Sequence, residues 1–240
     1  SLVGSEMCIR DSPYPDRNDV DLHAILHPAK EVGGDLYDFY MDGNHLYFLI
    51  GDVSGKGVPA SLFMAITRSL FRTLSQHVLS PAKIVTEMNN SISDNNESNM
   101  FVTLIVGILD LETGILKLCN AGHNPPILIY PDGQVSYLEF KTQIFVGVVE
   151  DFKYSDEEVV LEKESKLFLY TDGVTEAENI NKELYGEEKL LEMLSDNASS
   201  DVRTTVNVVV DSIASHVKEA EASDDLTILL IQYEPGTANS

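Results

Sequence analysis

Cysteine, tryptophan and basic residues are scarce in this sequence of 240 residues. Two cysteines, Cys8 and Cys119, cannot supply the disulfide framework of a small secreted domain, so a reducing compartment is expected. Lys and Arg total 16 against 39 Asp and Glu, and the net charge of −23 argues against nucleic acid or anionic lipid as the main partner. No apolar run approaches the ~20 residues that cross a bilayer, and no signal peptide is recognisable. These absences predict a cytoplasmic protein.

The sequence is long enough for one sizeable domain, and 43% of its residues are hydrophobic. Residues 1–12 show neither helical nor strand periodicity and are expected to be a non-native or disordered leader, which takes Cys8 out of consideration. Residues 13–234 are predicted to form the domain, and residues 235–240 a disordered tail.

Hydrophobic periodicity predicts hairpins of antiparallel strands interrupted by two pairs of helices. The expected helices are Val58–Ser75, a second beginning at Ser80 and Pro81, Glu187–Leu194 and Val202–Val217. The expected strands include the following segments: Asp21–His27, Asp35–Met41, His45–Val53, Phe101–Leu111, Gly114–Asn120, Ile127–Tyr130, Val135–Phe140, Val159–Leu161, Lys166–Tyr170 and Leu226–Tyr233. This order predicts an α+β fold in which an antiparallel β-sandwich is flanked by helices.

Acidic residues recur where predicted strands begin or end. The motifs are Gly33-Gly34-Asp35, Gly51-Asp52-Val53-Ser54-Gly55-Lys56-Gly57, Thr171-Asp172-Gly173 and Asp224-Asp225. Converging carboxylates lose hydration and repel one another, so the arrangement is tolerable only if cations neutralise it. Asp38 and Asp42, by contrast, are expected to be surface or turn residues.

Oxygen ligands without a His or Cys cluster favour Mg²⁺ or Mn²⁺ over Zn²⁺. A calcium-binding structural module is a weaker alternative, because it would need dense ligands within one loop, whereas these acids are spread from Asp35 to Asp224.

In order and sequence, five motifs resemble those of the SpoIIE/RsbU-type serine phosphatases, a bacterial branch of the metal-dependent type-2C protein phosphatases. The resemblance covers the chain from about Asp19 to Tyr233. Its markers are Pro28 to Asp38, Gly51 to Ala60, Asn120-Ala121-Gly122-His123-Asn124-Pro125-Pro126, Tyr170 to Glu176 and Asp224-Asp225-Leu226-Thr227. It implies a four-layer αββα sandwich with two divalent cations, Mn²⁺ or Mg²⁺, at one end of the sheets.

The resemblance also implies a role for each acidic residue. Asp52 would bridge both cations and the carbonyl of Val53 would add a ligand. Asp35 would bind one ion, while Asp172 and Asp224 would bind the other. Two further acids have less direct counterparts in the family. Asp225 lies beside the position of the family's metal ligand, and Glu176 matches an acidic position that in relatives can recruit a third ion.

Hydrolysis of a protein phosphoserine or phosphothreonine by a hydroxide that bridges the cations is the implied reaction. The proton for the leaving seryl oxygen would come from a metal-bound water, with His123 as the alternative, although a lone loop histidine is more often structural. Lys56 could assist in holding phosphate, or could be a solvent-exposed residue.

Implied partners are a phosphorylated anti-anti-sigma (STAS) protein as substrate and an upstream sensor or receiver module, with a homodimer also possible. The chain would then be a cytoplasmic domain of a longer sensor protein. The alternative function is a catalytically silent phosphatase-like module that binds a phosphoprotein, which retention of all the metal aspartates disfavours.

Overall fold

The computed structural model describes residues 17–94, 96 and 99–235. The predicted leader, residues 236–240 of the predicted tail and part of the expected polar loop Asp94–Asn99 therefore lie outside the described residues. The helices are α1 Val58–Leu74, α2 Pro81–Ser93, α3 Glu187–Asp196 and α4 Val202–Val217. The strands are β1 Val20–His27, β2 Leu36–Asp42, β3 His45–Val53, β4 Val102–Asp110, β5 Ile115–Ala121, β6 Ile127–Ile129, β7 Val135–Tyr137, β8 Glu157–Val160, β9 Lys166–Tyr170 and β10 Leu226–Tyr233.

The strands form two five-stranded sheets whose paired strands are all antiparallel. The first sheet has the order β1-β10-β9-β6-β7, and the second has the order β2-β3-β4-β5-β8. Three buried hydrophobic clusters separate four layers: one between the sheets, one under α1 and α2, and one under α3 and α4. The predicted αββα sandwich is confirmed.

Alternation along β3 shows how the sequence builds these layers. Leu46, Phe48 and Ile50 point into the cluster between the sheets. The intervening Tyr47 and Leu49 point into the cluster under α1 and α2. Asp52 continues the first series, so the pattern of the strand places its carboxylate on the inner face, at the end of the sandwich.

Side-chain caps fix the starts of α2 and α4. The Ser80 hydroxyl accepts a hydrogen bond from the backbone N–H of Lys83, and Pro81 occupies the first turn of α2. The Asp201 carboxylate accepts the N–H of Thr204 at the start of α4.

Within the described residues, no helix has the length and apolar character needed to cross a membrane.

Two strands, β7 and β8, differ from their predicted bounds by more than one residue, because pairing rather than composition limits them. The structure has β8 at Glu157–Val160 instead of Val159–Leu161, since these residues pair with β5. As an edge strand, β8 needs a partner on one side only and tolerates exposed glutamates. β7 ends at Tyr137 rather than Phe140, because only three residues pair with β6.

Candidate metal centre

All four predicted catalytic aspartates lie at one end of the sandwich. Asp35 directly precedes β2 and Asp52 is the penultimate residue of β3, so the antiparallel pairing of these strands places them side by side. Asp172 follows β9 and Asp224 precedes β10, and these strands are antiparallel neighbours as well. Each sheet therefore contributes one pair of aspartates to the same end.

Two threonine hydroxyls join the sheets through Asp35. Asp35 is only 3% exposed. Its Oδ2 accepts hydrogen bonds from Thr171 Oγ1 at 2.7 Å and from Thr227 Oγ1 at 2.6 Å, both from the first sheet. Burial, together with the nearby charge of Asp52, nevertheless raises the pKa of Asp35 well above its ordinary value.

Asp52 is the carboxylate on which the other charges act most directly. Burial, followed by the charges of Asp172 and Asp224, raises the pKa of Asp52 to about 7, while a hydrogen bond with Asp35 opposes the shift. The charged form of this carboxylate is therefore disfavoured in the fold.

Asp172 opens a short 3-10 turn, Asp172–Val174, at the end of β9. Burial raises its pKa, and the charges of Asp224 and Glu176 contribute. Glu176 is exposed, and its backbone N–H donates to the Asp172 carbonyl at 2.8 Å. The predicted candidate for a third cation ligand is thus held one turn from Asp172.

Lys56 provides a positive charge at this end of the sandwich. Its Nζ donates to Asp224 Oδ2 at 2.9 Å and to the Ser223 carbonyl at 2.7 Å. The contact raises the pKa of Lys56, with smaller contributions from the charges of Asp225 and Asp52. The pair is exposed, at 52% for the Lys56 side chain and 39% for that of Asp224, so it costs little to separate.

Asp225 has a different role from its neighbour. It is 7% exposed, and its carboxylate accepts the backbone N–H groups of Ala29 and Gly34, at 2.8 Å each, and that of Asp35 at 3.4 Å. A Cβ on Gly33 would lie 1.9 Å from Asp225 Oδ2, so glycine is required there. Asp225 fastens the loop that carries Asp35, while Asp224 faces the other carboxylates.

His123 is a structural hydrogen-bonding residue and not a proton donor facing the centre. It is 5% exposed, and burial lowers its pKa to about 4. Because a carbonyl can only accept, Nε2 carries the proton in its 3.1 Å contact with Tyr170 O, and Nδ1 accepts from Thr103 Oγ1 at 3.1 Å. Thr103 pairs with Asp52 in the second sheet, so His123 joins the strands that present Asp52 and Asp172.

The donor set suits hard cations. Carboxylates dominate, and the Val53 carbonyl, predicted as a further ligand, would be 3.0 Å from a Cβ placed on Gly34, so glycine lets the two loops approach. Among the described residues, no three His, Cys, Asp or Glu side chains already surround a single point as ligands of one ion. The assignment of Asp35, Asp52, Val53, Asp172, Asp224 and Glu176 as metal ligands stays a prediction.

Several contacts at or near this end were not predicted. Asp38 was expected at the surface but is 3% exposed, and it accepts two bonds from Arg72 and one from Arg68, which tie α1 to β2. Thr171 and Thr227 were also missed. Both threonines lie at inward-facing positions at the ends of apolar strands, close in sequence to Asp172 and Asp225. That position is the sequence signal that could have identified them.

A four-layer αββα sandwich with aspartates from both sheets at one end defines the class of type-2C phosphatase-like folds. A solved structure, the SiaA-PP2C domain of Pseudomonas aeruginosa, is similar, with a TM-score of 0.78 and 23% sequence identity over 89% of this chain and 86% of that chain. The chain belongs to the SpoIIE family, because the family model described as Stage II sporulation protein E (SpoIIE) matches residues 42–234.

Curated relatives share the same region. Phosphoserine phosphatase RsbU of Bacillus subtilis is 27% identical over 91% of this chain and 64% of its own length. Phosphoserine phosphatase RsbP of the same organism is 28% identical over 90% of this chain and 53% of its own length. The chain therefore spans between half and two thirds of the length of these relatives.

Proposed function

We propose that this chain is a protein serine/threonine phosphatase that works with two divalent cations, Mn²⁺ or Mg²⁺. The observation that carries the proposal is the convergence of Asp52, Asp172 and Asp224. Burial, followed by the charges of Asp172 and Asp224, raises the pKa of Asp52 to about 7. A fold gains nothing from such repulsion unless a ligand uses it. Membership of the SpoIIE family and the names of the relatives support this reaction class.

The residues present fit such cations. Asp52 would stand between the two ions, Asp35 and the Val53 carbonyl would serve one, and Asp172 and Asp224 would serve the other, with Glu176 available to a third. When bound, the cations would supply an activated water for attack on phosphorus and positive charge for the phosphoryl oxygens. Two positive ions would also neutralise the carboxylates, whose charges raise the pKa values of their neighbours.

Around that chemistry, the chain's own side chains hold positions and charge. Asp225 fixes the loop of Asp35, the hydroxyls of Thr171 and Thr227 orient the Asp35 carboxylate, and His123 ties the two sheets. Hydrolysis breaks the bond between phosphorus and the seryl oxygen, forms a bond from phosphorus to the water oxygen, and returns a proton to the seryl oxygen. Lys56, once released from Asp224, is the nearby cation able to reach a phosphate.

The substrate we propose is a phosphorylated anti-anti-sigma (STAS) protein, by analogy with the family. Regulation would come from an upstream sensor or receiver module or from a second copy of the chain. A row of apolar side chains on α1, Val58, Leu62 and Ile66, supports a partner there, because these side chains are 64%, 62% and 54% exposed at four-residue spacing. The row begins two residues after Lys56.

Hydrolysis assays with and without chelation test the proposed function. We expect p-nitrophenyl phosphate and a phosphoserine peptide to be hydrolysed with Mn²⁺ or Mg²⁺, because hard oxygen ligands prefer these ions, and to lose that turnover in EDTA. Ca²⁺ serves as the control, since it accepts oxygen ligands without the compact geometry that Mg²⁺ demands.

Turnover that persists unchanged in EDTA would contradict metal-dependent catalysis. Phosphopeptide binding without any turnover under these metal conditions would instead favour the silent binding module.

A further inference from the structure

Two partly exposed aromatic rings lie beside the carboxylate centre and have no part in the roles described so far. Phe101 directly precedes β4, and Phe145 lies on the segment that leads to Gly147. Their ring centroids are 4.5 Å apart at an interplanar angle of 31°. We call this pair the aromatic platform.

The strand register places Phe101 just beyond Asp52. The β3–β4 pairing matches Asp52 with Thr103 and Val53 with Val102, and two hydrogen bonds between Ser54 and Phe101 continue it one step further. Ser54 N donates to Phe101 O at 2.8 Å, and Phe101 N donates to Ser54 Oγ at 2.9 Å. Since side chains alternate along a strand, Phe101 shares the inner face with Thr103 and Asp52, about two residues or ~7 Å farther out.

Phe145 is held against the same edge. Val102 and Val146 exchange both backbone hydrogen bonds at 3.0 Å, which fixes the residue next to Phe145. Gly122 lies underneath with φ +79°, and a Cβ there would come 2.9 Å from Phe145 Cδ1. The platform is therefore formed before any ligand arrives, and a ligand would not have to order it.

The position of the platform identifies what would cover it. A protein segment whose phosphoserine lies at the carboxylates must continue outward, and an extended chain advances ~3.3 Å per residue. The side chain two residues from the phosphoserine thus travels about the same distance that separates Asp52 from Phe101. Aromatic rings gain most from burial against an apolar partner.

Charge argues against the groove on the side of the first sheet as the docking face. Its charged lining residues are four glutamates and one lysine: Glu176, Glu187, Glu188, Glu192 and Lys189. A phosphorylated segment brings its own negative charge, which these glutamates repel. The two rings of the platform carry no charge.

We propose that the aromatic platform is the docking face for the phosphoserine-bearing segment of a protein substrate, and that it selects an apolar side chain two residues from the phosphoserine. The inference rests on the proposed function and specifies the substrate class. Phe101 and Phe145 are specificity-determining residues here, because they contact the flanking residue and not the reacting atoms.

The test compares two phosphoserine peptides. They differ only at the position two residues before the phosphoserine and the position two residues after it, which are both Phe in one peptide and both Ser in the other. With Mn²⁺ we expect kcat/KM to favour the Phe peptide about tenfold, the scale on which an apolar contact discriminates. Phe101→Ala should bring this ratio close to one, and Phe101→Leu, which keeps an apolar side chain and the fold, should lower it while leaving it above one. The ratio is taken within each variant, so a general loss of activity does not mimic the effect.

Val160→Ala is the matched control. Val160 is 65% exposed on β8, where it pairs with Ile115 at the end of β5 remote from His123, so its removal should leave the ratio unchanged. A binding arm uses fluorescein-labelled forms of both peptides with Asp52→Asn, because that variant should not consume them. Fluorescence anisotropy should show about tenfold tighter binding of the Phe peptide, and Phe101→Ala in that background should abolish the difference.

The platform proposal would be overturned if the unsubstituted protein had equal kcat/KM for the two peptides and Asp52→Asn bound both equally. It would also be overturned if Phe101→Ala left the kcat/KM ratio of the two peptides unchanged. Failure of the proposed function has a different signature. It would appear as no hydrolysis of either peptide or of p-nitrophenyl phosphate, while the binding arm still reports on the platform.

Discussion

Asp52→Asn is expected to lower phosphatase turnover by about 10³-fold or more, the scale seen when a central catalytic group is removed. The amide keeps the shape of the side chain but loses the negative charge that would stand between two cations. Asp35, Asp172 and Asp224 all act on the Asp52 carboxylate, which places Asp52 at the centre of the cluster. We therefore expect that no neighbouring carboxylate can take its place. The measurement is kcat for p-nitrophenyl phosphate at saturating Mn²⁺.

Asp42→Asn is the matched control for that loss. Asp42 is the last residue of β2, at the opposite end of the strand from Asp35, and it is paired with the exposed His77. The same chemical change there should leave turnover within twofold. If Asp52→Asn retained more than a tenth of the parent turnover, Asp52 would not have the central role.

The second large effect is on stability, and it depends on pH. In EDTA, Asp52→Asn should be more stable than the parent protein, and the difference should widen as pH rises from 5 to 8. Burial, followed by the charges of Asp172 and Asp224, raises the folded-state pKa of Asp52 to about 7 from an ordinary 3.8. Between these values the native state binds more protons than the unfolded state, so the parent protein loses stability as pH rises and levels off above pH 7.

The expected gain at pH 8 is of the order of 2 kcal/mol, or roughly 5 °C in Tm for a chain of this size. His123 titrates with the opposite sign, because burial lowers its pKa to about 4 and its contribution to stability is lost as pH falls. It is present in both proteins and cancels in the difference. Thermal unfolding across this pH range, with and without Mn²⁺, is the measurement.

Mn²⁺ should reverse the order of the two proteins at pH 8, because ligand binding stabilises only the folded state that binds it. The parent protein should gain stability from Mn²⁺, and Asp52→Asn should gain much less. Two results together would contradict the inference that the fold holds these carboxylates close despite their repulsion. The stability of the two proteins in EDTA would change with pH in parallel, and Mn²⁺ would stabilise both equally.

Sequence patterns predicted the layers because each depends on local information. Alternation in β3 sets which side chains point between the sheets, and that same alternation carries Asp52 onto the inner face. The strand bounds of β7 and β8 were wrong in part, since an edge strand extends as far as its neighbour pairs with it and its composition says little.

The site was predicted less completely, because its details depend on contacts between distant segments. Asp224 and Asp225 are adjacent, and only the fold shows that one pairs with Lys56 while the other binds the N–H groups of Ala29, Gly34 and Asp35. Gly33 carried a usable signal, because a glycine pair before an aspartate indicates a close approach. Nothing in the sequence indicated that Asp38 would be buried against Arg68 and Arg72.

The most direct test of the account is a crystal structure of the protein grown with Mn²⁺ and measured at the manganese absorption edge. The account predicts two anomalous peaks at the end of the sandwich, one on each side of the Asp52 carboxylate, with Asp35 and the Val53 carbonyl nearer one peak and Asp172 and Asp224 nearer the other. No peak among these residues, or a single peak that does not contact Asp52, would contradict it.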